Sequence, residues 1–234
     1  MSVGSGPWTV AIALKGLAEG KSRLSQDLSR RERAELVVAM ASDVVDAARS
    51  SAACGRILIV TPEPELAWRF GSDVVVLPEQ RASGLNDAYA RAIRAAGHRP
   101  LALVAADLPG LRPVDLELVA EAAEDIEGPV VVADCEGSGS TVLASTVARR
   151  LDPRFGSDSL RAHTATGATD VSPSCAPSLR HDIDTLASLA SLSHGDLVGP
   201  ATGRWLAGMR ERLATASAPC THGRILERAG TAAR

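Results

Sequence analysis

The sequence predicts an α/β fold, organised as a single domain around a doubly wound, mostly parallel β-sheet. Short apolar runs rich in Val, Ile and Leu recur along the chain, and each is followed by a stretch with helical spacing. The apolar residues in each run are nearly continuous rather than alternating. This pattern is typical of strands that are covered by helices on both faces. The predicted strands are residues 8–14, 56–61, 73–77, 101–106 and 129–133.

Three helices carry recognisable start or stop signals. Ser29 and Glu32 form a capping box at the start of the first helix. A second helix is expected to be capped by Asn86 and to end at Gly97. Pro113 begins the third, because a proline at the first helical position loses no hydrogen bond. The apolar stripe of the first helix consists of Leu36, Met40, Val44 and Ala47.

Composition sets the class of protein. With 234 residues, 45% of them hydrophobic, the chain can bury one sizeable core. A net charge of −3 and an aromatic content of 3% argue against nucleic-acid or anionic-membrane partners. The four cysteines form no CxxC pair and no apolar run approaches the roughly 20 residues of a membrane span, so a reduced, cytoplasmic setting is expected. The expected organisation is a flexible N-terminus (1–7), a main domain (8–195) and a partly disordered tail (196–234) with one short helix near 204–213.

A basic, glycine-containing loop follows the first predicted strand. Lys15, Lys21 and Arg23 can neutralise phosphate charge there, while the glycines let backbone N–H groups approach a polyphosphate. The loop is not a P-loop, because Gly16 and Gly20 are one position too close together. A solvated basic turn is the alternative interpretation of this loop.

Three aspartates are candidates for metal binding. Asp107 follows the strand at 101–106, where a side chain at the carboxyl end of a central strand faces the ligand crevice. Asp182 and Asp184 are two positions apart, so in an extended segment both carboxylates lie on one side and can share a hard cation. The alternatives are a turn at Asp107 and a solvated or helix-capping pair at Asp182 and Asp184.

Two polar loops are suited to binding a phosphate or carboxylate. One contains Thr141 within a Gly-Ser-rich segment, and the other contains Gly156 and Ser159 before a short predicted helix. Ordinary turns and a simple cap at Ser159 are the alternatives. His163 and His181 are interpreted as polar surface or supporting residues, because phosphoryl chemistry with metals depends mainly on positioning and charge neutralisation.

Taken in order, six motifs across residues 8–195 resemble the 2-phospho-L-lactate/phosphoenolpyruvate guanylyltransferase family, which serves biosynthesis of a deazaflavin redox coenzyme. The motifs are Leu14-Lys15 with Gly20 to Leu24, Gly84-Leu85-Asn86, Ala106 to Pro109, Gly137 to Thr141, Arg154 to Ser159 with His163, and Asp182 to Thr185. The chain differs from the family pattern in having Ser138 and Ser140 where Thr is common, and Leu186 to Leu189 where Pro-x-Asp-Leu is usual.

The resemblance implies a nucleotidyltransferase fold of the nucleotide-diphospho-sugar transferase type. It also implies a reaction in which GTP and a phosphorylated three-carbon acid give a guanylylated acid and pyrophosphate. By this likeness Mg²⁺ is held by Asp107, Asp182 and Asp184, and the acid by Thr141, Gly156 and Ser159. The residues that would face the nucleotide are Lys15, Lys21, Arg23, Gly84 and Asn86.

The acceptor stays open between phosphoenolpyruvate, 2-phospho-L-lactate and a phosphoglycerate. The high Ala and Arg content is typical of GC-rich bacteria and favours phosphoenolpyruvate. A molybdopterin guanylyltransferase-like enzyme and an inactive nucleotide-binding regulator are the more remote alternatives. The resemblance is compatible with a homodimer and with a product that passes to a transferase acting on the deazaflavin precursor.

Overall fold

The computed structural model describes residues 7–14, 24, 27–79, 84–185, 188 and 198–216. Its core is a seven-stranded sheet with the order β3-β2-β1-β4-β6-β5-β7. The strands are β1 Trp8–Ala13, β2 Cys54–Thr61, β3 Val74–Pro78, β4 Leu101–Val104, β5 Val130–Ala133, β6 Ser140–Ser145 and β7 Thr169–Asp170. The helices are α1 Arg30–Ser50, α2 Ala67–Phe70, α3 Leu85–Ala96, α4 Pro113–Asp125, α5 Ser159–Ala165 and α6 Pro200–Ala216.

The five predicted strands and the mostly parallel sheet are confirmed. Strands β1, β2, β3 and β4 run parallel, with β1 between β2 and β4. Two strands were not predicted. The two-residue β7 pairs in parallel with β5, and β6 lies antiparallel between β4 and β5. The first residues of β6, Ser140 and Thr141, belong to a Gly-Ser-rich segment that was interpreted from the sequence as a polar loop. The structure shows instead that they begin a largely buried strand.

The helices cover both faces of the sheet and create two apolar layers. On one face α1 and α4 pack against alternate residues of β1, including Val10 and Ile12. On the other face α3 packs against Ala11 and Ala13. All six residues of β1 are therefore buried, which explains why its sequence is apolar without interruption.

Most of the helix signals are confirmed. The Ser29–Glu32 capping box is present, Pro113 is the first residue of α4 and Gly97 ends α3. The four stripe residues of α1 are all buried. The prediction that Asn86 caps α3 is wrong, because Gly84 takes the cap position with a φ of 104° and Asn86 lies in the first turn.

The tail helix is longer than expected and docks against the domain. It spans Pro200–Ala216, and Trp205, Leu206 and Met209 pack against the apolar layer that includes α1. Among the described helices, none is long and apolar enough to cross a membrane.

Candidate active site

A cavity of about 610 Å³ opens at the carboxyl ends of β1 and β4. This is the point where the chain, having built the sheet outward from β1 to β3, returns to the other side of β1 to add β4. Ligands in open α/β sheets bind at such switch points. The cavity is lined by Ala13 and Leu14 at the end of β1, and by Ala105 to Asp107 after β4.

The three predicted metal ligands converge in this cavity. One carboxylate oxygen from each of Asp107, Asp182 and Asp184 lies within 4.8 Å of the others, and all three residues are half-buried. Between the two later aspartates, Ile183 is completely buried in the core. The alternation expected for an extended segment is therefore present, with Ile183 directed inward and its neighbours directed to the cavity.

This set of oxygen donors fits a hard divalent cation. Magnesium binds oxygens at about 2.1 Å, so two ligands on opposite sides of one ion are about 4.2 Å apart. Adjacent ligands of an octahedral ion are about 3.0 Å apart, so the three oxygens, which lie within 4.8 Å of one another, would move closer by side-chain rotation to share one ion. The absence of nitrogen or sulfur donors in the group favours magnesium over zinc or copper.

The negative potential of this group reaches neighbouring residues. Tyr89 lies behind the cavity, fully buried, and its hydroxyl donates to the carbonyl of Val104 at 2.8 Å. Burial raises the pKa of Tyr89, and the charge of Asp107 raises it further. Burial likewise raises the pKa of the Cys135 thiol, and Asp182 adds to the effect. A cation at the three carboxylates would offset this potential.

Thr141 lies in β6 at the edge of the cavity and is almost completely buried. Its hydroxyl donates to the carbonyl of Leu179 at 2.7 Å, which ties β6 to the segment leading to Asp182. Because that bond uses the hydroxyl hydrogen, the oxygen lone pairs and the neighbouring backbone are what Thr141 can offer a ligand. Its contact with the acid stays a prediction.

Gly156 and Ser159 also line the cavity, on the loop that leads into α5. Gly156 has a φ of 138°, a value that favours glycine, and Asp158 is left-handed with a φ of 54°. These two turns bring Ser159 to the first position of α5 with only 1% of its surface exposed. Ser159 is therefore part of the helix rather than its cap.

The side chain of Asn86 does not line the cavity but holds this loop. Its amide donates to the carbonyl of Phe155 at 3.0 Å and accepts from the N–H of Phe155 at 2.8 Å. Gly84 is exposed before α3, and Leu85 between them lines the cavity. The predicted nucleotide contacts of Gly84 and Asn86 stay predictions.

The predicted basic residues Lys15, Lys21 and Arg23 lie outside the described residues. Leu14, which directly precedes them, lines the cavity. The described lining includes no lysine or arginine, and its carboxylates are Asp107, Asp134, Glu136, Asp158, Asp182 and Asp184. Binding two polyanions in such a cavity requires positive charge from elsewhere, which a metal ion and the basic loop after β1 would supply.

Sequence reasoning missed Asp134, which fixes the turn before β6. Its carboxylate accepts from the N–H groups of Ser138 and Gly139, at 3.0 and 2.8 Å. A β-carbon on Gly139 would lie 2.2 Å from that carboxylate, so a larger residue here would displace the Asp134 side chain from these two bonds. The available signal was the place of Asp134 directly after a predicted strand, the same signal that identified Asp107.

The two histidines differ in their surroundings. His163 is completely buried beside the cavity loops, and burial lowers its pKa to about 4. His181 is partly exposed, with its Nδ1 3.0 Å from the carbonyl of Pro177. Neither residue lines the cavity.

Residues 8–170 match the family model described as guanylyl transferase CofC like. The chain is also similar to two proteins named phosphoenolpyruvate guanylyltransferase. The one from Streptomyces avermitilis is 40% identical over 205 residues, covering 83% of this chain and 92% of the relative. The one from Salinispora arenicola is 37% identical over 199 residues, covering 83% of this chain and 91% of the relative.

A solved structure shares the fold. It comes from Desulfovibrio desulfuricans, is assigned as a nucleotide-diphospho-sugar transferase, and superposes with a TM-score of 0.65. The alignment covers 90% of this chain and 98% of the other at 13% identity, so it supports the predicted fold type alone.

Proposed function

The chain belongs to the family of CofC-like guanylyl transferases, and from this premise we propose that it transfers GMP from GTP to phosphoenolpyruvate and releases pyrophosphate. Both relatives described above are named for that acceptor. The observation that carries the proposal is the convergence of Asp107, Asp182 and Asp184 in a cavity at the sheet's switch point. Three carboxylates held there suit a metal-assisted reaction of phosphates.

In the proposed reaction, a phosphate oxygen of the acceptor attacks the α-phosphorus of GTP. A bond forms between these two atoms, and the bond from the α-phosphorus to the bridging oxygen breaks, with the electron pair leaving on pyrophosphate. The second pKa of a phosphate monoester is about 6, so the attacking oxygen is already largely deprotonated near neutral pH. No side chain has to remove a proton.

The protein's task is therefore to bring two anions together in line. Mg²⁺ held by Asp107, Asp182 and Asp184 would neutralise charge on the phosphates. Thr141, Gly156 and Ser159 are proposed to hold the acid, and Lys15, Lys21, Arg23, Gly84 and Asn86 to lie toward the nucleotide. Leu85 and Phe155 add apolar lining to the cavity. Such positioning is the main source of rate enhancement in phosphoryl transfer.

The acceptor is tested by incubating the protein with GTP, Mg²⁺ and one acid at a time. Phosphoenolpyruvate, 2-phospho-L-lactate and 3-phosphoglycerate are compared at equal concentration, with pyrophosphate as the readout. We expect the highest kcat/KM with phosphoenolpyruvate. A higher value with either other acid would reassign the acceptor, and no release with any of them would contradict the proposed function.

The remaining assignments belong to the same proposal. The catalytic unit spans residues 8–195 in a reduced, cytoplasmic setting, and the diphosphate-linked product passes to a transferase that acts on the deazaflavin precursor. The chain is compatible with a homodimer, which sedimentation analysis of the purified protein would test.

A further inference from the structure

His163 joins the start of β6 to the loop before α5, the two segments that border the proposed acid site. Its Nε2 lies 2.9 Å from the backbone nitrogen of Arg154, and its Nδ1 lies 3.1 Å from Oγ of Ser140. The ring packs edge-on against Phe155, with the ring centroids 4.9 Å apart. One buried side chain thus contacts both the start of β6 and the loop before α5.

These contacts determine which ring nitrogen carries the proton. The N–H of Arg154 can only donate, so Nε2 of His163 must be the unprotonated acceptor. In the neutral ring the hydrogen is then on Nδ1, which donates to Oγ of Ser140. The lowered pKa of His163, about 4, keeps the ring neutral near pH 7.

The arrangement leaves the Ser140 hydroxyl with a hydrogen to donate. Its oxygen accepts from His163, and among the described residues this is the hydrogen bond that the Ser140 side chain makes. Ser140 also lines the cavity, beside Thr141. A hydroxyl that accepts a hydrogen bond from the protein and lines a cavity can donate its own hydrogen to an anionic oxygen of a ligand.

We propose that Ser140 donates a hydrogen bond to the phosphorylated acid, and that His163 is a positioning residue that orients the Ser140 hydroxyl. The inference rests on the proposed function and adds a contact to the same site. It assigns Ser140 to the acid rather than to GTP because His163 connects it with the Arg154 to Ser159 loop. The backbone N–H of Leu160 also donates to the carbonyl of Ser138 at 3.1 Å, holding the two loops together independently of His163.

The test compares four variants by pyrophosphate release. Ser140→Ala removes the donor and Ser140→Thr keeps it. His163→Gln places an acceptor near the position of Nε2 but lacks the donor to Ser140, whereas His163→Asn keeps a donor near Nδ1. Ser42→Ala, which removes a hydroxyl bonded to the carbonyl of Val38 on α1, is the matched control.

We expect Ser140→Ala to raise the KM for phosphoenolpyruvate about tenfold or more, the effect of losing a hydrogen bond to a charged group. The KM for GTP should stay within about twofold. In the Ser42→Ala control both KM values should stay within about twofold, and Ser140→Thr should restore most of the acid affinity that Ser140→Ala loses. His163→Gln should resemble Ser140→Ala, and the double variant should be no worse than either, because both changes remove one interaction. His163→Asn should retain more acid affinity than His163→Gln.

Two outcomes would overturn the inference while the proposed function stands. One is wild-type activity with an unchanged acid KM in Ser140→Ala, and the other is fully additive effects of Ser140→Ala and His163→Gln. Absence of wild-type pyrophosphate release would instead contradict the proposed function, and the assignment of Ser140 to the acid with it. Nitrogen-15 NMR of the substrate-free protein checks the tautomer separately: a proton on Nε2 would refute the positioning role of His163.

Discussion

The backbone N–H of Ile183 donates to the carbonyl of Asp107 at 3.0 Å. This bond joins the turn after β4 to the segment that carries Asp182 and Asp184, although these lie more than 70 positions apart in the sequence. It sets the relative position of the three carboxylates through the main chain. The buried side chain of Ile183 anchors the same segment in the core. The positions of the three proposed metal ligands therefore depend on a main-chain hydrogen bond and on the burial of Ile183.

Because backbone contacts position these aspartates, replacing one carboxylate by an amide should impair activity without unfolding the protein. Asp107→Asn or Asp184→Asn should lower kcat/KM on the order of 100-fold or more, because a metal supplies several kcal/mol of charge stabilisation. The unfolding free energy should change by less than about 1 kcal/mol, as expected for half-buried positions whose backbone contacts are kept. Pyrophosphate release and urea denaturation measure the two quantities.

Asp125→Asn is the matched control, since Asp125 is exposed at the end of α4, outside the cavity lining. It should keep wild-type activity. Wild-type pyrophosphate release from both Asp107→Asn and Asp184→Asn would eliminate the metal assignment.

The contribution of Asn86 can be measured through its two bonds to the backbone of Phe155. Asn86→Ala should cost about 1–3 kcal/mol of stability, because two main-chain groups lose their partner. It should also raise the KM for the acid, since the loop carrying Gly156 and Ser159 loses its support. Asp87→Ala, at an exposed position in the same helical turn, should leave the KM for the acid unchanged and cost less than about 1 kcal/mol, the usual contribution of an acidic residue at a helix N-terminus. A raised KM for GTP alone would instead support the nucleotide contact implied by the resemblance.

Stability should depend on pH through His163. Its pKa is about 4 in the folded protein and about 6.5 in the unfolded chain, so the unfolded state takes up a proton first as the pH falls. The stabilising contribution is complete above pH 6.5 and is lost between about pH 6.5 and 4, amounting to roughly 3 kcal/mol. Urea denaturation across this range should show the loss in the wild type.

His163→Gln isolates this contribution from that of the carboxylates. Because glutamine does not titrate, the variant should lose less stability than the wild type over the same pH range. Parallel curves for the two proteins would contradict a neutral, buried His163.

The helix α6 is docked through an unusual cap. The carboxylate of Asp43 on α1 accepts from the N–H groups of Ala201 and Thr202 at 2.8 and 2.9 Å. The N–H of Gly199 donates to the carbonyl of Pro109 at 2.6 Å, next to the turn that carries Asp107. The segment before α6 is therefore also connected with the turn that carries Asp107.

Gly199→Ala should disturb this docking, because its β-carbon would lie 2.3 Å from Cγ of Asp43. We expect a loss of about 1–3 kcal/mol and faster proteolysis within α6. Gly203→Ala on the same helix meets nothing closer than 4.0 Å and should be neutral or slightly stabilising. Equal stability of the two variants would show that the contact with Asp43 does not hold the helix.

The sequence predicted the parts of the fold that depend on local pattern. Burial alone explains the uninterrupted apolar sequence of β1 and the apolar stripe of α1, and Asp107 was identified by its place after a strand. Strand β6 was missed because its pairing with β4 and β5 is a tertiary event and its start is rich in serine. The partner of Asn86 lies 69 positions away, and no local signal distinguishes that contact from a helix cap.

The most direct test of the central claim is pyrophosphate release from GTP and phosphoenolpyruvate as Mg²⁺ is titrated, with ATP in a parallel series. We predict release that requires Mg²⁺, stops on chelation and occurs with GTP but not with ATP. The same titration of Asp182→Asn should require far more Mg²⁺ or show no release. Equal release without added Mg²⁺, or with ATP in place of GTP, would contradict metal-assisted guanylyl transfer at these three aspartates.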